Sequence, residues 1–440
     1  MGLVLPEEAD ILIRGCPILT MDEKGVIARG FIAIKNGIIT QIGAGASSPY
    51  IKAEKTIEGD GKVALPGLVN CHTHVAMTIF RGLAEDRNLE EWLEGTIWPL
   101  EAKLKPEHVY VGALLGCLEM IKSGTTCFAD MYFYEGMVAE AVKKAGLRAV
   151  LSQGIIEAGN MEKGEEMLRE SVEFAKNYEG YADGRVKVRL APHTVYTCSP
   201  ELLSKVQEAS LKLNVGVHIH LAESLEMAKK LKEKYGLSEV ELLAETGLLS
   251  PNMLAAHCIH LSRRDVKLLA QHEVKASHNP VANMKLAQGI AKVHSLLGKG
   301  VTVGLGTDGP ASNNSLNMFE TMKTAALLQK TAYRNPAVLP ARKVLQMATV
   351  EGAKAIGLEN TVGSLSEGKR ADIILIDFKK PHLTPTHDFF ANIVYSACGS
   401  DVDTVIVEGK ILMENRTVKT VDEKKVIKKA QETAQNILAQ

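Results

Sequence analysis

The chain has 440 residues, of which 46% are hydrophobic and 23% charged, and a formal net charge of -1. That balance fits a globular protein with a large core and gives no electrostatic basis for binding nucleic acid or an anionic membrane. No apolar run reaches the length of a membrane span, and Met1 to Asp10 lack the basic and apolar regions of a secretory leader. The 7 cysteines are scattered and form no Cys-x-x-Cys pair, which points to reduced thiols in a cytoplasmic protein.

Residues 1–65 read as short strands and turns. Ala9 to Arg14 is a short apolar run, and Asn36-Gly37 is a hairpin signal between two more. From about residue 66 to 365, apolar strands alternate with helical segments, the pattern of parallel βα units. Strands are expected at Ala64–Asn70, Thr125–Asp130, Ala149–Gly154, Val186–Ala191, Val215–Leu221, Met253–His257, Val274–Ser277 and Val301–Gly306. Eight such units in about 300 residues are the size of a (β/α)8 barrel. The connecting segments read as helices; Pro106–Ser123 has proline in its first turn and Gly124 just past its end. After residue 368 strand signals return at Ala371–Asp377 and around a tight turn at Glu408-Gly409-Lys410. Asp422–Gln440 reads as a charged amphipathic helix.

In a barrel of this kind the functional residues lie at the C-terminal ends of the strands. Those ends carry His72 and His74, Asp130, Gln153, His193, His218, His220 and Glu223, His257 and His260, His278, and Asp308. His72-Thr73-His74 closes the apolar run that begins at Val63. Residues two apart on a strand share a face, so two imidazoles project together toward a divalent metal, commonly zinc. His218 and His220 repeat that spacing; one of them need only hydrogen-bond in the core. Asp308 can complete a three-histidine, one-carboxylate site, and also suits a loop cap. Glu223 lies where a general acid or base would work beside a metal-activated water. Spacing does not choose between His257 and His260, and His193 suits either a substrate contact or a strand cap.

The stretches Pro66–His74, Phe80–Asp86, Glu91–Leu93, His218–Glu223, Ala255–Cys258, Ser277–Pro280 and Gly306–Asn314 together make the chain resemble the amidohydrolase superfamily. It is most similar there to the 5-methylthioadenosine/S-adenosylhomocysteine deaminases and their cytosine-deaminase-like relatives. The likeness spans nearly the whole chain. It implies an α/β fold: a TIM-type barrel over 66–368 with a small β-sandwich built from 1–65 and 369–440. It implies one zinc per subunit, held by His72, His74, His220 and Asp308. Iron and manganese also accept such donors.

By the same resemblance Glu223 shuttles a proton to a substrate ring nitrogen. His257 orients the attacking water, and Asp308 takes its proton. Trp92, Glu101, Gln153, His193 and Ser312 line the substrate site, with Glu101 on the ribose hydroxyls. The implied reaction is hydrolytic deamination of an adenine nucleoside: 5′-methylthioadenosine, S-adenosylhomocysteine, adenosine or 5′-deoxyadenosine. Guanine, a pterin or an s-triazine would fit the same metal chemistry, and a non-catalytic binding paralogue is a further alternative. The expected partner is a small molecule, with no nucleic acid and no membrane. Whether the chain forms a homo-oligomer is not legible.

One departure bears on the substrate. The family often carries an arginine after the third strand, and Gln153 stands there in Leu151-Ser-Gln-Gly154. A neutral amide cannot make the charge-assisted pair that an arginine offers a carboxylate tail. Smaller or neutral nucleosides are therefore expected to be preferred. The smaller zinc deaminases of nucleic-acid bases carry His-x-Glu and Pro-Cys-x-x-Cys, neither of which occurs here.

Overall fold

The computed structural model of the chain describes residues 7–45 and 51–439. The leader reading falls in part on residues 1–6 and so lies partly outside them. Two sheets organise the molecule, a parallel barrel and a mixed sheet made from strands near both ends of the chain.

The barrel strands are Leu68–Thr73, Thr125–Asp130, Arg148–Leu151, Val186–Pro192, Gly216–Leu221, Met253–His257, Lys275–His278 and Val303–Leu305. All seven successive pairings are parallel. The remaining seam, between first and eighth strands, is held partly by a side chain. Asn70 accepts from the Thr307 amide at 3.0 Å and donates to the Thr307 hydroxyl at 2.7 Å, and the Asp308 amide donates to the His72 carbonyl at 2.9 Å. Near-continuous burial along these strands explains why they read as apolar runs.

The predicted strand at Ala64–Asn70 is two strands. Lys62–Pro66 pairs antiparallel with Ile373–Asp377 in the mixed sheet, and Leu68–Thr73 opens the barrel. Gly67 is the crossing point: a β-carbon there would sit 2.0 Å from the Thr126 hydroxyl, so only glycine fits. The third strand ends earlier than expected, at Leu151, and a two-residue strand, Gly154–Ile155, resumes beside the fourth.

In the mixed sheet Glu7–Leu19 is longer than the apolar run suggested, and Ile51–Glu58 pairs parallel to it. The Asn36-Gly37 turn joins Val26–Lys35 to Ile38–Ala44, with both turn residues at positive φ, as a two-residue hairpin requires. Val402–Val407 and Lys410–Glu414 flank the turn at Glu408-Gly409. The two turns meet: a β-carbon on Gly37 would lie 2.7 Å from the Glu408 carbonyl. The sheet therefore curls, and Ile13, Ile32, Ile373 and Ile406 share one core. A buried two-pronged pair, Arg148 to Asp372 at 2.9 and 3.2 Å, ties this sheet to the third barrel strand.

The helix predicted after Pro106 spans Pro106–Lys122, with Gly124 at φ +83° beyond it. The last helix, Glu423–Leu438, is capped by the Asp422 carboxylate on the Lys425 amide.

Candidate active site

The barrel gathers four donor atoms at the predicted strand ends. His72 Nε2 and His74 Nε2 each lie 3.3 Å from Asp308 Oδ1, and His220 Nε2 lies 3.3 Å from His74 Nε2. About 3.3 Å is also the edge of a tetrahedron with arms of about 2.05 Å, the usual zinc–nitrogen and zinc–oxygen distance. His72 Nε2 is buried yet aligned for a hydrogen bond to nothing among the described residues. An orphaned nitrogen facing a carboxylate and two more imidazoles fits a cation better than it fits a hydrogen-bond network.

Each ring is held by its other nitrogen. His74 Nδ1 donates to the Met131 carbonyl at 2.5 Å, and His220 Nδ1 donates to the His193 carbonyl at 2.9 Å. His72 Nδ1 meets His218 Nε2 at 2.9 Å. This second set of contacts fixes tautomers and leaves every Nε2 free to face the centre. It also separates the pair that spacing left open: His220 joins the cluster, and His218 lies fully buried behind His72.

The electrostatics suit a cation. Burial holds the His72 ring down to about 3 and the His220 ring well below its ordinary value. Burial opposes charge on His74 as well, but the Asp308 carboxylate prevails and holds that ring up at about 9. Burial alone would raise Asp308; the His72 and His74 contacts outweigh it and hold the carboxyl well below the usual range. The Ser312 hydroxyl donates to Asp308 Oδ2 at 2.7 Å. Ser312 is 1% exposed, so it stands behind the carboxylate and not at the open face expected of a substrate contact.

Glu223 and His257 stand together beside the cluster, His257 Nε2 lying 3.8 Å from Glu223 Oε1. Burial raises the Glu223 carboxyl, with His257 opposing. His257 Nδ1 meets Asn283 Oδ1 at 2.8 Å, and His260 does not join the group. The backbone here is left-handed at four non-glycine residues, Ala222 at φ +50°, His257 at +72°, Cys258 at +52° and Asp308 at +62°. Such strain persists only where the surroundings enforce it, and it concentrates at functional sites.

Two enforcing residues escaped the sequence reading. Asn283, on the short helix Pro280–Lys285, holds His257. Glu239, buried at the start of helix Glu239–Glu245, accepts from the Ala222 amide at 2.8 Å, one residue before Glu223. Burial pushes its carboxyl up to about 7. Both reach the site from short helices that lie between barrel strands.

A narrow pocket of about 60 Å³, open to solvent, adjoins His74. Trp92, Glu101 and His193 line it as expected, together with Trp98, Tyr132 and Phe133. Burial pushes Glu101 up to about 7, against the pull of the neighbouring Tyr132 hydroxyl. Gln153 lies in the adjoining cleft, whose wall shares Trp98, Glu101, Phe133 and Ile156 with the pocket and adds Met167 and Phe174. Its Oε1 accepts from the Glu135 amide at 3.1 Å, so its amide N–H donors are the part left for the cleft.

Asp130 turns away to accept from the Val75 amide at 2.7 Å. His278 is buried, with neither ring nitrogen partnered among the described residues, and does not enter the cluster.

A parallel barrel with imidazoles and a carboxylate converging at its strand ends defines a metal-dependent hydrolase. The chain belongs to the amidohydrolase family, whose model matches residues 63–412. It is 52% identical to the 5′-deoxyadenosine deaminase of Methanosarcina acetivorans, over 98% of this chain and 99% of that one. It is 50% identical to the 5-methylthioadenosine/S-adenosylhomocysteine deaminase of Desulforudis audaxviator, over 97% and 99%. Among solved structures, an adenosine deaminase from Xanthomonas campestris with bound zinc superposes at a TM-score of 0.94. It is 30% identical and covers 99% of this chain and 100% of its own.

Proposed function

We propose that this chain hydrolyses the 6-amino group of adenine nucleosides, giving the inosine analogue and ammonia. The observation that carries the reading is the carboxyl of Glu223, raised by burial and 3.8 Å from His257, beside the converging donors of His72, His74, His220 and Asp308. A binding protein has no need of a poised proton carrier there. The names of the relatives support the adenine nucleoside over guanine, a pterin or a triazine.

His72, His74, His220 and Asp308 would hold one zinc ion, for which three imidazoles and a carboxylate are a fitting set. Bound there, the ion supplies the Lewis acidity that lets water attack near neutral pH. Asp308 accepts a proton from the attacking water on its carboxylate, and His257, steadied by Asn283, orients that water. Glu223 delivers its proton to the ring nitrogen beside the amino-bearing carbon, making that carbon more electrophilic. Protons returned through Glu223 and Asp308 reach the amine, and ammonia departs. One water is consumed for each ammonia released.

The pocket beside His74 takes the nucleoside, with Trp92 and His193 on the base and sugar and Glu101 on the ribose hydroxyls. The 5′ substituent runs into the Gln153 cleft. An amide donor among Trp98, Phe133, Met167 and Phe174 favours hydrogen, methylthio or hydroxyl tails over a charged amino-acid tail. The buried thiols of six of the seven cysteines support a reducing compartment, and we assign the protein to the cytoplasm.

The test is ammonia release from 5′-deoxyadenosine by metal-analysed protein. The expected result is turnover that is lost on chelation and restored by zinc. Turnover of guanine or a triazine with none of any adenine nucleoside would reassign the pocket.

A further inference from the structure

A second group of metal-type donors lies outside the barrel site. It sits where the excursion between strands Ile373–Asp377 and Val402–Val407 begins and ends. His382 comes from the short turn Pro381–Leu383, and Cys398 and Asp401 from the turn that leads into the second strand. The His382, Cys398 and Asp401 donor atoms all lie within 4.8 Å of one another.

Asp401 Oδ2 is the hub. It lies 2.9 Å from His382 Nε2 and 3.2 Å from Cys398 Sγ, and it accepts from the Cys398 amide at 2.9 Å. A tetrahedral zinc site has a nitrogen-to-oxygen edge of about 3.3 Å and a sulfur-to-oxygen edge of about 3.5 Å, from its usual bond lengths. The observed edges need to open by only about 0.3–0.4 Å to reach those values. The side chain of Asp401 is 4% exposed and that of His382 is 45% exposed, so the group is anchored on one side and reachable from the other. Cys398 is the one cysteine that is not buried. Ser400 Oγ, 3.1 Å from the sulfur, or a water can fill a fourth position.

We propose that His382, Cys398 and Asp401 form a second divalent-metal site, of the class that takes zinc, distinct from the one at the strand ends. The Cys398 thiol gives up its proton on binding, and the sulfur, imidazole and carboxylate become ligands. The ion clips the two ends of the excursion together. Between those ends Ile393 and Val394 are buried, Phe389 packs on Phe378, and Arg342 lies over the ring of Phe390. Closing that loop by a metal bridge lowers its freedom to open.

Cobalt(II) tests the proposal, because sulfur ligation gives it a charge-transfer absorption that nitrogen and oxygen ligands do not. Full-length protein is stripped with a chelator and reloaded with cobalt, the metal is counted, and the near-ultraviolet spectrum is read. The expected result is two cobalt ions per chain and a thiolate band. Cys398→Ser and His382→Ala should each lose the band and one ion while keeping deaminase activity. One ion per chain without the band, or two ions without it, would overturn the site. One ion with the band would keep this site and strike the strand-end site instead.

Discussion

The two sides of the active site are built differently. On the metal side each of the four donors is doubly held: a barrel strand or its end sets its backbone, and its far atom is tied to a carbonyl, a ring or a hydroxyl. The facing wall comes from short helices around residues 89–101 and from the turn after the third strand. There the Trp92 indole nitrogen has no partner among the described residues. A cluster fixed at its far side has one geometry and performs one kind of chemistry. A wall of side chains on short elements can change its lining without disturbing that cluster. Reaction and substrate range are therefore set by different parts of the site.

The largest effect should come from the metal side. Glu223→Gln keeps the shape but removes the proton carrier, and kcat should fall by about a thousandfold. Metal content, measured on the same protein, should not change. Loss of metal together with activity would make Glu223 a ligand and blur the division between cluster and acid.

Next in size is Asn283→Ala. It frees the His257 ring from its 2.8 Å contact, and kcat should drop by about 10–100-fold with KM nearly constant. A rise in KM instead would put Asn283 on the substrate side of the division.

The wall should respond in selectivity. Gln153→Arg supplies a charged donor in the cleft. It should raise kcat/KM for S-adenosylhomocysteine relative to 5′-methylthioadenosine by about tenfold, the worth of one charge-assisted hydrogen bond. An unchanged ratio would remove Gln153 from the tail site.

The smallest effect lies on the border between the two sides. Glu135 is fully buried beneath Gln153, with both carboxylate oxygens unpartnered in geometry, and burial beside Asp130 raises it well above the carboxylate range. An acid raised in the folded state stabilises that state while protonated. Its contribution is whole below the ordinary glutamate pKa and is lost as pH climbs from there toward the folded value. Glu135→Gln should thus flatten the decline in urea stability as pH rises above the ordinary glutamate range, while leaving the Gln153 contact to the backbone amide in place.

The same division decides what the sequence reveals. Strand ends were legible because buried parallel strands are continuous apolar runs, and a polar residue closing such a run stands out. The spacing of His72 and His74 carried both rings to one face. It could not sort His218 from His220, since in that second pair one ring faces the cluster and the other supports His72 from behind. Asn283 and Glu239 were missed because they reach the site through the packing of helices on the barrel. The contact of the Ser312 hydroxyl with Asp308 is likewise set by the packing after the eighth strand, which spacing does not show. Pro66-Gly67 looked like the interior of one strand because both flanks are apolar. The break there follows from a contact with Thr126, far away in sequence.

This division between reaction and substrate range is tested by measuring kcat/KM for four nucleosides with the same adenine and different 5′ groups. These are 5′-deoxyadenosine, 5′-methylthioadenosine, adenosine and S-adenosylhomocysteine, assayed by ammonia release on zinc-loaded protein. All four should be deaminated, and the charged tail of S-adenosylhomocysteine should make it the slowest. S-adenosylhomocysteine as the best substrate, or no turnover of any of the four, would contradict that expectation.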